Sequence, residues 1–496
     1  MQTYEDAVNF IDHIEKYSAH PGVKNATKLL AALNHPERGL RIIHVAGTNG
    51  KGSVCAFLSD MLTALGYRTG LFISPHLVDI RERVQLDRKK IGKEDFTNCF
   101  LLVKRAAEEL AREGYVGLTY FDYLFGIALC WYREQSPDYI VMETGLGGRL
   151  DSTNSILTPL LTIITSISLD HTEILGDTLA KIAAEKAGII KPGVPLIYCA
   201  DEAEACEVIT KTAKENKSPY IGIGRKNCRW IPNESADAEL SIEEDMAQGN
   251  VQTPTNQLKF IFSLPKAQCY APTEISNGED TVSGNALREI LTVNSPALYQ
   301  MENAAIAYTA ALWVSWLSDN SSCDSKTPCN ILLNSLPEVT RTIGKNALAR
   351  SAWEGRFEQI MPGVYLDGAH NADGIHMLLS SLRPLAKERN ILLLFTAVKE
   401  KDTGEMIRKL CESGLFCRYL ITTMGGTRAI PPEQLKENFQ EHTNALITTY
   451  KTPRDAFFAG LKLKGENDIL LCAGSLYLVG QIKEMLPFAS DGESRL

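Results

Sequence analysis

Short apolar runs closed by glycine or polar turns alternate with amphipathic stretches along most of the chain. An α/β protein with a mostly parallel sheet produces that pattern, because each strand is buried on both faces and each helix on one. RIIHVA, TGLFIS, DYIVME, PLLTIITSI and VPLIYC read as strands. The helix after the first strand places Val54, Phe57, Leu58, Met61, Leu62 and Leu65 on one face and meets Gly66, a good terminator. Past about residue 350 the alternation resumes with GVYLD, ILLLFTAV, YLITTM, ALITTY and DILLCAG, separated by helical segments such as ADGIHMLLSSL and PRDAFFAGLKL. The expected fold is α/β: an N-terminal P-loop-type domain with a mostly parallel sheet over residues 1–349, then a smaller C-terminal Rossmann-like α/β domain over 350–496. The stretch of about 225–291 is richer in Glu, Asp, Asn, Ser and Pro, has QLKFIFSL as its clearest strand, and reads in its polar parts as an exposed insertion.

Composition narrows the function classes. The 496 residues are 44% hydrophobic and 22% charged, with no apolar run near the length a membrane-spanning helix needs, so no membrane partner is expected. A formal charge of -9 argues against nucleic acid as a partner, since such binding relies on clustered Lys and Arg. The N-terminal MQTYEDAVNFIDHIEKY has neither a basic start nor an apolar secretory core, which gives a cytoplasmic expectation. Twelve cysteines are scattered without a CxxC pair, so reduced thiols are expected rather than a disulfide frame or a zinc site.

HVAGTNGKGSVCAFLSDML, from His44 to Leu62, departs from the standard P-loop spacing but supplies what a phosphate needs. A strand ends in a glycine-rich turn, backbone N–H groups are free to converge, and a helix N-terminus follows. Gly47, Thr48, Asn49, Gly50, Lys51, Gly52 and Ser53 form the expected ATP loop, with Lys51 as the point charge and Ser53 within reach of a metal ion. Glu143 closes the strand DYIVME, so its carboxylate should emerge at the carboxyl edge of the sheet, where open α/β sheets bind ligands. Ser74 and His171 are placed at the ends of two other expected strands. Lys186, beside Glu185 in a helix, reads on its own as a solvated surface charge. In LTYFDY the faces of Tyr120 and Phe121 can stack on a flat heterocycle, and Asp122 can accept from ring N–H donors.

GTNGKGS resembles the nucleotide loop of the Mur-ligase superfamily and, with its extra Gly52, that of the folylpolyglutamate synthase and dihydrofolate synthase family. Further motifs similar to the family's follow in the family's order: LFISPHL at 71–77, LTYFDY at 118–123, METGLGGRLDSTN at 142–154, SLDHTEILG at 168–176, AAEKAGIIKPG at 183–193, QMENAA at 300–305, EGRFE at 354–358 and DGAHNADG at 367–374. The resemblance implies Mg²⁺ bound by Ser74, Glu143 and His171, with Lys186 carbamylated to support magnesium. It implies ATP contacts from Asn303, Arg356 and Asp367, and a glutamate site near His370 and Ser475. It implies folate contacts from Thr119, Tyr120, Phe121, Asp122, Ser152, Thr153 and Asn154. Lys51, His171, Lys186 and His370 are the residues expected to serve catalysis. The Gly and His often seen upstream of Gln300 are here Ala297 and Tyr299.

The implied reaction is ATP-dependent addition of L-glutamate to the γ-carboxyl of a reduced folate through an acyl phosphate, by a monomer. Dihydropteroate as acyl substrate, or both activities in one protein, stays open, as does a P-loop switch without ligase chemistry. A peptidoglycan ligase is not expected, because only 46 residues precede Gly47 and leave no room for a nucleotide-sugar domain.

Overall fold

Residues 3–15, 22–231, 257–265, 287–319, 336–387, 389–426 and 428–486 are described by a computed structural model. Eight strands build the larger sheet: β1 (Ile42–Ala46), β2 (Thr69–Phe72), β3 (Val84–Leu86), β4 (Lys89–Lys90), β5 (Tyr139–Glu143), β6 (Leu161–Ile164), β7 (Leu196–Cys199) and β8 (Tyr220–Ile223). Their order is β4-β3-β2-β5-β1-β6-β7-β8, parallel except at the β3 and β4 edge. Within β5 the side chains alternate faces. Tyr139 and Val141 join the helices Lys51–Ala64 and Gln300–Asp319 in one core, while Ile140 and Met142 join Gly22–Ala32, Lys93–Arg112 and Tyr120–Gln135 in the other. Burial on both faces explains why these strands read as unbroken apolar runs.

β1 lies between β5 and β6, and the chain leaves β1 toward β2 on one side but reaches β6 on the other. This reversal opens a crevice at the carboxyl ends of β5, β1 and β6, which is where such sheets bind ligands.

Strands β9 (Cys228–Ile231), β10 (Leu258–Ser263) and β11 (Arg288–Val293) form an antiparallel sheet. Its inward residues Trp230, Phe260, Phe262 and Leu291 pack into the same core as the helix Gln300–Asp319. The strands of the expected insertion are therefore part of the main body, while its polar parts, 232–256 and 266–286, lie outside the described residues.

The third sheet holds β12 (Glu358–Met361), β13 (Val364–Leu366), β14 (Ile391–Phe395), β15 (Phe416–Ile421), β16 (Leu446–Thr449) and β17 (Ile469–Ala473), in the order β12-β13-β17-β14-β15-β16. All pairs are parallel except β12 with β13. Helices start where side-chain caps allow. Asn371 accepts from the Gly374 amide ahead of Ala372–Leu382, and Thr452 accepts from the Asp455 amide ahead of Pro453–Leu463. The described cysteines are free thiols, and among the described residues no helix is long and apolar enough to cross a membrane.

Candidate active site

The glycine turn is held open by backbone geometry that only glycine adopts cheaply. Gly47 has φ 151° and Gly50 has φ 85°, and a Cβ at either would overlap Thr165 or Asn303 respectively. Gly50 caps the helix Lys51–Ala64 without any side-chain hydrogen bond, leaving the first-turn N–H groups for a ligand. Residues Gly47 to Ser53 line a cavity of about 230 Å³. Lys51 folds back over its own turn, its Nζ donating to the Gly47 and Thr48 carbonyls at 3.1 Å each and lying 3.9 Å from Glu143 Oε1.

Glu143, the last residue of β5, is buried, and its Oε2 accepts from the Ser74 amide at 3.0 Å. Burial pushes its carboxyl up, against the pull of Lys51 and the Ser74 amide. Ser74, Glu143 and His171 all line the cavity. His171 is not at a strand end, however. β6 stops at Ile164 because the following segment turns to brace the glycine loop, with Ser166 O accepting from the Thr48 amide at 2.7 Å, and His171 caps the short helix Thr172–Leu175. Its Nε2 lies 3.1 Å from Lys401 Nζ, and burial together with Lys401 lowers its pKa to about 4. Among the described residues no three His, Cys, Asp or Glu side chains are spaced to hold a metal ion. A divalent cation here would be held by few protein oxygens, completed by phosphate and water, as magnesium commonly is.

Lys186 is not a surface charge. It is buried, its Nζ donates to the Gly47 carbonyl at 2.8 Å, and burial with the nearby Lys51 lowers its pKa to about 7. Its neighbour Glu185 is half-buried and pairs with the exposed Arg149 at 2.5 Å.

The C-terminal sheet closes the crevice through a buried carboxylate that sequence reasoning missed. Asp170 accepts from Lys401 Nζ at 2.6 Å and from Asn371 Nδ2 at 3.0 Å, and lies 3.8 Å from His370 Nε2. Burial raises its carboxyl, but Lys401, His370 and His171 together hold it well below the usual carboxylate range. Its stabilising contribution is thus present above the ordinary carboxylate pKa of about 4 and lost as pH falls below it. Asp170→Asn leaves Lys401 buried without its counter-charge and should cost about 3 to 5 kcal/mol in denaturant unfolding. Turnover should fall with it, because the closing contact is lost.

Other expected ATP contacts have protein partners already. Asp367 accepts from Tyr299 OH at 2.7 Å, Ala369 N at 2.7 Å and Phe357 N at 2.8 Å, so Tyr299 engages the acid from the position where the family often has histidine. Arg356 and Asn303 line the cavity, with Asn303 donating to Gln300 Oε1 at 2.9 Å. Asp201, Arg225 and Glu302 line the same cavity and were also missed from the sequence. Burial and Asp201 push Glu302 up to about 8, against Arg225 at 3.3 Å. A carboxyl so raised binds more protons folded than unfolded, and its contribution is lost as pH rises from 4.5 through 8. Glu302→Gln should therefore raise the melting temperature by several degrees near pH 9 and change it little near pH 5.

A second cavity, of about 930 Å³, is lined by Thr119, Tyr120, Phe121, Ser152 and Ser475. Asp122, Thr153 and Asn154 are not part of its wall. Asp122 is fully buried; its Oδ2 accepts from the Thr119 amide and hydroxyl and from Asn25 Nδ2, and its Oδ1 from Ser152 Oγ. Thr153 is bonded to His44 and Asp151, and Asn154 to the Arg149 and Gly188 carbonyls and to Lys191. Ser475 caps the helix Leu476–Glu484. The two cavities share Ser74, Gly145, Leu146, His171, Leu175 and His370, and so meet at a throat beside the glycine turn.

Comparison with known proteins agrees with this architecture. The families described as "Mur ligase middle domain" and "Mur ligase, glutamate ligase domain" match residues 124–271 and 355–476. A dihydrofolate synthase/folylpolyglutamate synthase of Bacillus subtilis (strain 168) is 30% identical over 487 residues, covering 97% of this chain and 99% of that protein. A folylpolyglutamate synthase of Lacticaseibacillus casei is 27% identical over 494 residues, covering 97% and 98%. Among solved structures, a folylpolyglutamate synthase of Thermotoga maritima aligns with a TM-score of 0.72 at 25% identity, covering 98% of this chain and 97% of that one. E. coli FolC in complex with DHPP and ADP shares the fold, with a TM-score of 0.74 at 24% identity and 97% coverage of each chain. With its glycine turn, its two α/β sheets and a relative matched along nearly the whole length of both proteins, the chain belongs to the dihydrofolate synthase/folylpolyglutamate synthase family of Mur ligases.

Proposed function

We infer that the chain uses ATP to join L-glutamate to the γ-carboxyl of a reduced folate. The observation that carries this reading is the throat, where the cavity around the glycine turn opens into a larger, partly aromatic one beside Glu143, His171 and His370. A carboxylate is a poor electrophile, so amide formation in water needs activation. A folate carboxylate oxygen bonds to the γ-phosphorus as the bond from that phosphorus to the bridging oxygen breaks, and the electron pair leaves on ADP. Lys51 stabilises the transferring charge. The glutamate amine then attacks the acyl carbon, and phosphate departs as the amide forms. The amine's proton leaves on the departing phosphate, while His171 and His370, whose pKa values are lowered to about 4 by burial and Lys401, stay neutral at pH 7 and line the throat.

The buried Glu143 carboxylate, with the hydroxyls of Ser53 and Ser74, fits a magnesium ion shared with phosphate oxygens. When bound, such an ion neutralises phosphate charge. His171 could join it only if Lys401 withdrew from Nε2. A neutral Lys186 amine can add CO₂ and release a proton, giving a carbamate anion in place of a cation beside the loop. Native mass spectrometry in bicarbonate should find one added CO₂, lost on acidification and absent from Lys186→Arg. A monomer working in the cytoplasm completes the reading.

Dihydropteroate is the second candidate acyl substrate, favoured by the double name of the Bacillus subtilis relative. The test is ADP release by the purified chain with tetrahydrofolate or with dihydropteroate. Release that depends jointly on glutamate and a pteridine acid supports the ligase reading, and ATP hydrolysis indifferent to both would overturn it.

A further inference from the structure

Arg83 ends the single turn Ile80–Arg83 and is only 6% exposed, yet it lines the larger cavity. Its partners are neutral. Nε donates to His76 Nδ1 at 2.8 Å, Nη1 donates to Ser74 Oγ at 2.9 Å, and the guanidinium lies 5.3 Å from the Tyr120 ring centroid. No carboxylate among the described residues comes within 4.0 Å of it. The cations around it are arranged otherwise: Arg81 is paired with Asp79, Arg149 with Glu185 and Lys401 with Asp170. Glu143 feels the Arg83 charge from a distance, but a nearly buried guanidinium with no carboxylate in contact is costly unless an anion arrives to complete it.

Its position says which anion. Ser74 takes Nη1 on its hydroxyl while its own amide donates to Glu143 Oε2, so one residue joins the guanidinium to the carboxylate at the end of β5. Arg83 therefore stands on the acyl side of the throat. A carboxylate approaching a γ-phosphate is repelled by it, and a fixed cation on its own side offsets that repulsion while orienting the attacking oxygen. Of the three acids lining the cavity, Asp151 is engaged with the Leu146 and Thr153 amides and Glu185 with Arg149, while Asp12, whose charge reaches Tyr120, makes no ion pair with Arg83.

We propose that Arg83 binds the reacting carboxylate of the acyl substrate and holds it at the throat. This rests on the ligase reading, and the test separates the two. Equilibrium binding of tetrahydrofolate is compared with that of its γ-carboxamide, which keeps the α-carboxylate and removes only the reacting charge. The wild-type protein should prefer the acid. Arg83→Met should weaken the acid by about 10- to 100-fold and the amide by less than about threefold, with Mg·ATP affinity kept. Parallel losses for acid and amide, or no loss at all, would overturn the proposal, because they mean that Arg83 only props His76, Ser74 and Tyr120 or binds the α-carboxylate. Should Arg83→Met lose Mg·ATP binding, Arg83→Lys decides: a reduced preference for the acid with unchanged amide affinity supports the assignment, and equal weakening of both sinks it. Absence of glutamate-dependent ADP release in the wild-type protein would instead strike the ligase reading.

Discussion

Replacing Lys51 with methionine lowers turnover by about a thousandfold, the scale on which a preorganised charge at a transferring group acts in a water-excluded site. The ammonium is held by two carbonyls of its own turn, lies 3.9 Å from Glu143 and lines the cavity around the glycine turn. Methionine keeps the length of the stem and removes the charge, so the fold should persist and the chemistry fail. The change reaches a second group as well. Lys51 helps lower the pKa of Lys186, so its loss raises that pKa and makes the neutral amine scarcer at pH 7. Steady-state kcat with saturating substrates, beside thermal unfolding, checks the result. A variant with more than about a tenth of wild-type kcat would remove Lys51 from the phosphoryl-transfer step.

The second large effect is at Gly50, where Gly50→Ala should weaken Mg·ATP binding by about a hundredfold. A left-handed backbone costs a side-chain-bearing residue about 1 to 2 kcal/mol. Here the new methyl must also displace Asn303 Oδ1, a group on the helix that bounds the nucleotide cavity. Relief of the overlap moves either the start of the helix Lys51–Ala64 or the start of Gln300–Asp319, and both line the cavity. Gly66→Ala is the control. Its φ is 94° but nothing lies within 4 Å of the added carbon, so it should lose stability of about 1 kcal/mol and keep its ATP affinity. Equal ATP affinity in the two variants would show that the close approach at Gly50 has no bearing on the nucleotide.

Local signals reached far in this chain. Ala372–Leu382 and Pro453–Leu463 are the helices their sequence patterns mark, because cap residues and apolar period agree there. The glycine turn and Glu143 were legible for the same reason: a strand end and a helix start are short-range features. Lys186 was not, because the Gly47 carbonyl it donates to is 139 residues away. The Asp170 and Lys401 pair spans 231 residues, and nothing local to either marks it. Asp122 is different, since its part in a helix cap was readable. Thr119 and Asp122 form a capping box at the start of Tyr120–Gln135, and that spacing stands in the sequence as T-Y-F-D. The Asp122 side chain is taken up by that cap, by Asn25 and by Ser152 rather than by the cavity wall.

The central claim is that a pteridine carboxylate meets the γ-phosphate at the throat before glutamate is needed. ATP labelled in the bridge between its β and γ phosphorus atoms tests this through positional isotope exchange. Scrambling of the label that requires tetrahydrofolate or dihydropteroate and proceeds without glutamate is the expected result. Steady ADP production with glutamate present, accompanied by no scrambling under any combination of substrates, would contradict it.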